Sequence, residues 1–195
     1  MKRLKNALTP VLLLCLLAFP TTVYGQADAN RTQHVDPFIG TDGNGHVFPG
    51  ASLPFGMVKL GPDMGENKSN SGYVAEADIN GFSHVHVSGT GGGAKYGNIL
   101  AMPFTGDYQR GAVSSPGEGE SAAPGYYSVN LSRYDIDAEL TTTRRVGYHR
   151  YTFPESDEAR ILIDAGHFLS SSAPWNEDQK LVGSEIEVVS DRVVQ

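Results

Sequence analysis

Residues 133–153, RYDIDAELTTTRRVGYHRYTF, carry the clearest strand pattern in the sequence. From Tyr134 to Leu140, apolar side chains alternate with acidic ones. Because successive residues of a strand face opposite sides, this alternation predicts one buried face and one wet face. Residues 146–153 continue with aromatic and Thr side chains that can pair across an antiparallel neighbour. The stretch therefore predicts an antiparallel scaffold element whose charges lie on a solvated face.

The rest of the chain has the same character. Its 23 glycines and 11 prolines punctuate short runs rich in Val, Ile, Tyr, Phe and Thr, and helical periodicity is absent after the amino terminus. Strands are predicted at 56–60, 81–87, 98–102, 126–131, 134–142, 146–153, 159–164 and 181–189. Their number and spacing predict an all-β fold, an antiparallel β-sandwich.

The amino terminus has the features of an export signal. Lys2, Arg3 and Lys5 precede an apolar run, and small residues then lead to a cleavage site before Gln26. The run is shorter than the roughly 20 residues that a membrane span needs. We therefore predict a signal peptide over 1–25, a short linker over 26–34 and one β-sandwich domain over 35–195. The protein is expected to be periplasmic or secreted, without a membrane anchor after cleavage.

Charge and cysteine content limit which functions and which covalent links are possible. The chain has 15 basic and 22 acidic residues, and removing the leader takes away three basic ones and no acidic ones. Nucleic-acid binding needs clustered Lys and Arg, which this acidic chain lacks. The single cysteine, Cys15, lies in the leader, so the exported domain has no disulfide.

Two loops and the last residues are unusual. Residues 40–53 and 107–124 are longer than typical connections, and such loops are functional or mobile. We assign the first to function and the second, which has almost no apolar content, to mobility. The strand predicted at 181–189 leaves apolar residues and an unpaired edge near Gln195, so we expect further chain to cover them.

The most unusual segment is INGFSHVHVSGTGGG, residues 79–93. On a continuous strand, His84 and His86 would project from the same face. Three interpretations stay open: a metal pair joined by His46, His149, Asp78 or His167; a polar wall that hydrogen-bonds a ligand; and a structural pair bonded to backbone carbonyls. The glycines at 89 and 91–93 favour a site, because they let backbone approach another surface closely.

Aromatic residues stand in Pro/Gly-rich blocks that stiffen the backbone. Phe38, Phe48 and Phe55 are therefore held in place and can stack on sugar rings. For Phe48 and Phe55 we favour the alternative that they fill the core of the sandwich, because large aromatic residues are usually buried. Trp175 is predicted to be either a sugar platform or a contact for another domain. No nucleophile motif and no catalytic carboxylate pair can be assigned from spacing.

Five blocks together resemble the amino-terminal domain of glycoside hydrolase family 92. They are VDPFIGT (35–41), FPGASLPFGM (48–57), GFSHVHVSGTG (81–91), PGYYSV (124–129) and ELTTTRRVGYHRYTF (139–153). The resemblance runs in order from Val35 to the end.

The resemblance implies a β-sandwich packed on a helical (α/α)6 catalytic barrel that this chain does not contain. It implies an inverting, Ca²⁺-dependent exo-α-mannosidase whose acid, base and calcium ligands lie mainly in that barrel. The expected partners are an α-mannoside or related glycan and the carboxyl-terminal catalytic domain. On matching positions, Phe38, His84 and His86 are expected to bind substrate, with no catalytic residue and no metal ligand in this chain.

The leading hypothesis is thus a substrate-walling domain of an exported α-mannosidase-like hydrolase, inactive by itself. One alternative is a free-standing lectin-like module, which would bind mannosides alone. The other is a small metal-dependent hydrolase built on His84 and His86.

Overall fold

A computed structural model describes residues 31–43, 45–65, 70–88, 95–170 and 181–195. Within these residues the chain forms strands and two short 3-10 helices, Arg31–His34 and Asn70–Gly72. The strands are β1 Ala51–Ser52, β2 Lys59–Met64, β3 Ile79–Ser83, β4 Lys95–Tyr96, β5 Leu100–Thr105, β6 Gly117–Ala123, β7 Tyr126–Leu131, β8 Ile136–Thr142, β9 Gly147–Thr152, β10 Ala159–Asp164, β11 Leu169–Ser170, β12 Val188–Ser190 and β13 Val193–Val194. In this described part of the chain, neither helical segment has the length and hydropathy of a membrane span.

The scaffold predicted from the alternating stretch is confirmed. Strands β8 and β9 pair antiparallel with Ala138 opposite Tyr151 and Leu140 opposite His149. Ile136, Ala138 and Leu140 are buried while Asp137 between them is exposed. Together with β6 and β7 they form a four-stranded sheet in the order β6-β7-β8-β9.

The prediction of a mobile loop over 107–124 is wrong for its second half. Residues 117–123 form β6, an edge strand paired with β7 from Gly117↔Leu131 to Ala123↔Tyr126. Pro124 and Gly125 make the two-residue turn, and Gly125 has the positive φ of 80° that suits glycine after proline. The strand has a glycine- and glutamate-rich sequence because it is an edge strand whose side chains are mostly exposed.

The second sheet has five strands in the order β1-β2-β3-β5-β10, all antiparallel. The strands predicted at 126–131 and 159–164 match β7 and β10. Those predicted at 56–60 and 98–102 are displaced toward the carboxyl terminus. Of 181–189, only the last two residues are in a strand, in the hairpin β12–β13, whose residues are all exposed.

The core lies between the two sheets, which confirms the sandwich. Phe82 of β3 contacts Tyr127 of β7 and Tyr151 of β9 with ring centroids 6.4 and 6.2 Å apart. Leu60 and Ile79 of the five-stranded sheet are fully buried in the same cluster. Each such side chain contributes about 1.5–3 kcal/mol through burial.

One carboxylate ties the edge strand β6 to this core. The phenol of Tyr73 donates a hydrogen bond of 2.9 Å to Glu120, and the buried phenol of Tyr127 donates to the other carboxylate oxygen. Burial, and then the charge of Glu120, raise the pKa of both phenols, so both remain donors.

We expect Glu120→Gln to lower the free energy of unfolding by about 1–3 kcal/mol, because an amide offers one acceptor oxygen where two phenols need an acceptor. Urea denaturation measures the loss. Glu118→Gln, an exposed residue of the same strand, is the matched control and is expected to leave stability unchanged. Equal stabilities of the two variants would contradict the role assigned to Glu120.

Candidate functional site

The two histidines singled out in the sequence do not project together. Strand β3 ends at Ser83, and on the facing segment Tyr96 and Gly97 both have positive φ, which interrupts the regular ladder. The Ser83 hydroxyl lies 3.3 Å from His86 Nε2, although a continuous strand would place these residues on opposite faces. The predicted common face of His84 and His86 is therefore wrong, and each ring belongs to its own cluster.

His86 belongs to a buried cluster centred on Asp63 of β2. Asp63 is fully buried, and its Oδ1 lies 2.7 Å from His86 Nε2 while its Oδ2 lies 2.8 Å from His167 Nε2. The ring of Phe48 stacks on His86 with centroids 4.4 Å apart. One carboxylate thus joins two histidines from distant parts of the chain.

The hydrogen bonds set the charge state of this cluster. His86 Nδ1 lies 2.7 Å from the carbonyl oxygen of Lys59, which can only accept, and Nε2 faces the Asp63 carboxylate. Both ring nitrogens can donate only when His86 is an imidazolium. Burial by itself would raise the pKa of Asp63, but the charge of His86 and the hydrogen bonds from His167 and His86 hold that pKa below its usual value. The arrangement has the geometry of a buried ion pair between His86 and Asp63.

His84 belongs to a second cluster that bridges the two sheets. Its Nδ1 donates to the carbonyl of Ile99 at 2.9 Å, and its Nε2 lies 3.1 Å from Nε2 of His149. His149 Nδ1 in turn lies 2.7 Å from the hydroxyl of Tyr151. Burial raises the pKa of Tyr151, so its hydroxyl donates. A single direction of donation satisfies the chain: Tyr151 to His149, His149 to His84, and His84 to Ile99.

Electrostatics favour the neutral form of this second cluster. Burial and then the neighbouring His84 lower the pKa of His149 to about 4. The Asp63 cluster contains two histidines and a carboxylate, but both Nε2 atoms are bonded to the carboxylate oxygens, and no group of three or more His, Cys, Asp or Glu among the described residues is placed to hold a metal ion. The metal interpretation of His84 and His86 gains no support.

The Pro/Gly-rich blocks form the walls of a groove of about 530 Å³. Its apolar lining comprises Val35, Ile39, Val47, Phe48 and Leu53, and polar atoms are supplied by Thr32, Asp36, Ser52 and Ser88. We call this the Pro/Gly groove. Ser88 leads into the glycine segment, of which residues 89–94 lie outside the described part of the chain, as does Trp175.

Phe38 belongs to the block that forms this groove, but its side chain is not among the lining residues. Its amide donates a hydrogen bond of 2.9 Å to the Asp36 carboxylate, and its carbonyl accepts a hydrogen bond of 2.9 Å from the Thr41 hydroxyl. These bonds fix the turn that presents Val35 and Ile39 to the groove. Phe38, His84 and His86 are therefore not brought into one pocket, and their role in substrate binding stays a prediction.

Of the two phenylalanines predicted to fill the core, one is buried and the other is exposed. Phe48 is buried on His86, as predicted, but Phe55 is 100 % exposed with a positive φ of 60°, so the core assignment of Phe55 is wrong. Ile39 of block 35–41 and Met57 of block 48–57 are also exposed, by 75 % and 72 %. Of these three exposed side chains, Ile39 lines the Pro/Gly groove.

Comparison with known proteins agrees with this architecture. Residues 34–195 match the sequence profile described as the glycosyl hydrolase family 92 N-terminal domain. A curated protein of Arthroderma benhamiae, named an uncharacterized secreted glycosidase, is 33% identical over 158 residues, which cover 74% of this chain and 20% of that protein.

Solved structures give the same result. The family GH92 α-mannosidase BT3965 from Bacteroides thetaiotaomicron, in complex with mannoimidazole, superposes with a TM-score of 0.66 at 40% identity, over 71% of this chain and 20% of that one. The GH92 family glycosyl hydrolase ccman5 superposes with a TM-score of 0.65 at 29% identity, over 72% and 21%. The chain thus spans about a fifth of the length of the relatives that it matches. It belongs to glycoside hydrolase family 92, whose amino-terminal domain it matches.

Proposed function

We propose that this chain is the substrate-walling amino-terminal domain of an exported α-mannosidase-like hydrolase, and that the Pro/Gly groove faces the glycan. The observation that carries this proposal is the groove itself. Its walls draw on four of the five family blocks, mainly 35–41 and 48–57, in which Pro37, Pro49 and Pro54 preset the backbone. An apolar surface with a few convergent polar groups suits a sugar ring, which has apolar faces and a polar edge.

The apolar surface around the groove supports a wall rather than a complete pocket. Ile39 lines the groove and is largely exposed, and Phe55 and Met57 of block 48–57 are also largely exposed. The relatives are about five times as long as this chain. We propose that the additional chain of such an enzyme covers this surface and closes the pocket from the other side.

The chemistry is proposed to come from that additional chain. Inversion requires two carboxyls roughly 6.5–9.5 Å apart with a water between them. Two buried or half-buried carboxylates are held in structural contacts: Asp63 is bonded to two histidines, and Glu120 to two tyrosines. We propose that the calcium of the family binds elsewhere in the enzyme, which is in keeping with the lack, among the described residues, of a group of three or more His, Cys, Asp or Glu placed to hold a metal ion. Export is proposed from the leader and agrees with the name of the secreted relative.

We expect the purified chain to release no mannose from 4-nitrophenyl α-mannoside. When the same chain replaces the matching segment of the Bacteroides mannosidase, with which it is 40% identical, we expect α-mannosidase activity. Ile39→Asp in that chimera should lower kcat/KM by about tenfold or more, because a charge in the groove displaces the sugar. Val146→Asp, at an exposed apolar position in the β8–β9 turn, is the matched control.

Two results would overturn the proposal. One is hydrolysis by the isolated chain, which would place the catalytic groups within it. The other is a chimera whose kcat/KM is the same with Ile39→Asp as with Val146→Asp, which would remove the groove from the substrate pocket.

A further inference from the structure

A second concave site lies at the far end of the five-stranded sheet. It is a cavity of about 300 Å³ between the ends of β3, β5 and β10 and the segment 108–114. Leu100 and Val113 are buried beside it, while Tyr108, Arg110, Asp164 and His167 supply its polar and aromatic surface. We call it the edge cavity. It shares no lining residue with the Pro/Gly groove.

The edge cavity contains one cation and one carboxylate that are not paired with each other. Arg110 is exposed, and its guanidinium makes no hydrogen bond or ion pair with any described residue. Asp164 is half-buried, and its Oδ1 accepts a hydrogen bond of 2.8 Å from the Gly166 amide. Its second oxygen has no partner among the described residues. Both groups therefore have bonding capacity left for a ligand.

His167 is held in a fixed orientation at the same cavity. Its Nε2 is bonded to the buried Asp63 carboxylate at 2.8 Å, and only 14% of the side chain is exposed. Because Nε2 donates to Asp63, the remaining ring nitrogen, Nδ1, is an acceptor in the neutral ring. A carboxylate that orients a histidine in this way pre-organises it for its other partner.

Tyr108 adds an aromatic surface. Its side chain is 48% exposed, and its ring packs on that of Phe104 with centroids 6.1 Å apart. The ring is therefore supported on one side and accessible on the other. Aromatic rings of this kind combine an apolar face with a polar tip.

These groups together select the class of ligand. A guanidinium and a carboxylate in one cavity suit neighbouring hydroxyls, which accept from the first and donate to the second. Asp164 and the net charge of −7 oppose an anion. The cavity volume lies at the lower end of the range for small-molecule sites, which suits a single sugar ring. We propose that the edge cavity is a second glycan subsite that binds one neutral hexose residue, with Tyr108, Arg110, Asp164 and His167 as its contacts.

This inference rests on the proposed function in one respect, namely that the ligand is a glycan. It is tested on the 195-residue chain itself, by ¹H–¹⁵N NMR titration with methyl α-D-mannopyranoside. We expect saturable shifts of the amides of residues 108–114 and 164–167 with a dissociation constant in the millimolar range. Arg110→Ala and Asp164→Asn should each weaken binding by about tenfold. Both side chains can be replaced without loss of a core contact.

Arg145→Ala, at an exposed arginine outside the cavity, is the matched control and should bind like the unchanged chain. The absence of saturable shifts at the cavity, or equal binding by Arg110→Ala and Arg145→Ala, would overturn the inference. Displacement of the sugar by inorganic phosphate would assign the cavity to anions and would also overturn it. The chimera with Ile39→Asp reports on the groove alone, so failure of either proposal is visible separately.

Discussion

Asp63→Asn is expected to lower the free energy of unfolding by about 3–5 kcal/mol, because it removes one partner of a buried ion pair and leaves the other charged. His86 must donate to both Lys59 and residue 63, and an amide oxygen can accept that bond but cannot balance the imidazolium charge. The amide would also present its NH₂ group to His167 Nε2, so His167 could keep this hydrogen bond only by changing its tautomer. The unbalanced charge of His86 would lie in the interior, where water cannot solvate it.

Equilibrium urea denaturation at neutral pH measures this loss. Asp107→Asn is the matched control, because Asp107 is 91% exposed and pairs with Arg160 only at 3.6 Å, a contact of little energetic value. His167→Gln is expected to fall between the two, at about 1 kcal/mol, since that ring lies at the edge of the cluster. A stability of Asp63→Asn equal to that of Asp107→Asn would show that the ion pair is not formed.

Alternation of apolar and polar residues along the chain predicted the strands that have one buried face, but not the strands whose side chains are mostly exposed. The strand pair β8–β9 was predictable because alternation over 134–140 can satisfy only one sheet face. Strand β6 was not, because an edge strand with exposed side chains needs no apolar residues and its GEGE sequence resembles a loop. Pro124-Gly125 was the available signal, since this dipeptide forms a tight turn between paired strands.

The histidine clusters show the limit of reasoning from spacing. His84 and His86 share a face only if the regular ladder continues beyond Ser83, and the positive φ values at Tyr96 and Gly97 on the opposite segment make the pairing irregular there. Asp63 and His167 lie 104 positions apart, and nothing near either residue marks them as partners. Such contacts are set by the order of strands β2, β3, β5 and β10 in the sheet, which single-residue periodicity does not contain.

His149 is expected to make the stability of the chain depend on pH between 6.5 and about 4. Its pKa is lowered from 6.5 to about 4 by burial and by His84, so in this window the unfolded chain binds a proton that the folded chain does not. The free energy of unfolding is therefore highest above pH 6.5, falls as the pH is lowered and levels off near pH 4. The full loss amounts to about 3 kcal/mol.

The other titratable groups around His149 do not reverse this fall in the free energy of unfolding as the pH is lowered. Burial keeps Tyr151 protonated. On the exposed side, the hydrogen bond from Arg150 lowers the pKa of Glu139 from 4.5, so Glu139 adds a loss of the same sign only below about pH 4.5, and Asp63, whose pKa is lowered from 3.8, acts at still lower pH. His84, which accepts from His149, is the one other histidine in direct contact.

His149→Gln should remove most of the slope between pH 6.5 and about 4, because glutamine does not titrate. His34→Gln, in the exposed 3-10 helix, is the matched control and should keep the slope. Urea denaturation across this range tests the difference, and an NMR titration of the His149 ring in the unchanged chain measures its pKa directly. In His84→Gln that pKa should rise, since the neighbouring imidazole contributes to its depression. A ring that titrates at its ordinary value in the folded chain would contradict the buried, neutral donor chain from Tyr151 to Ile99.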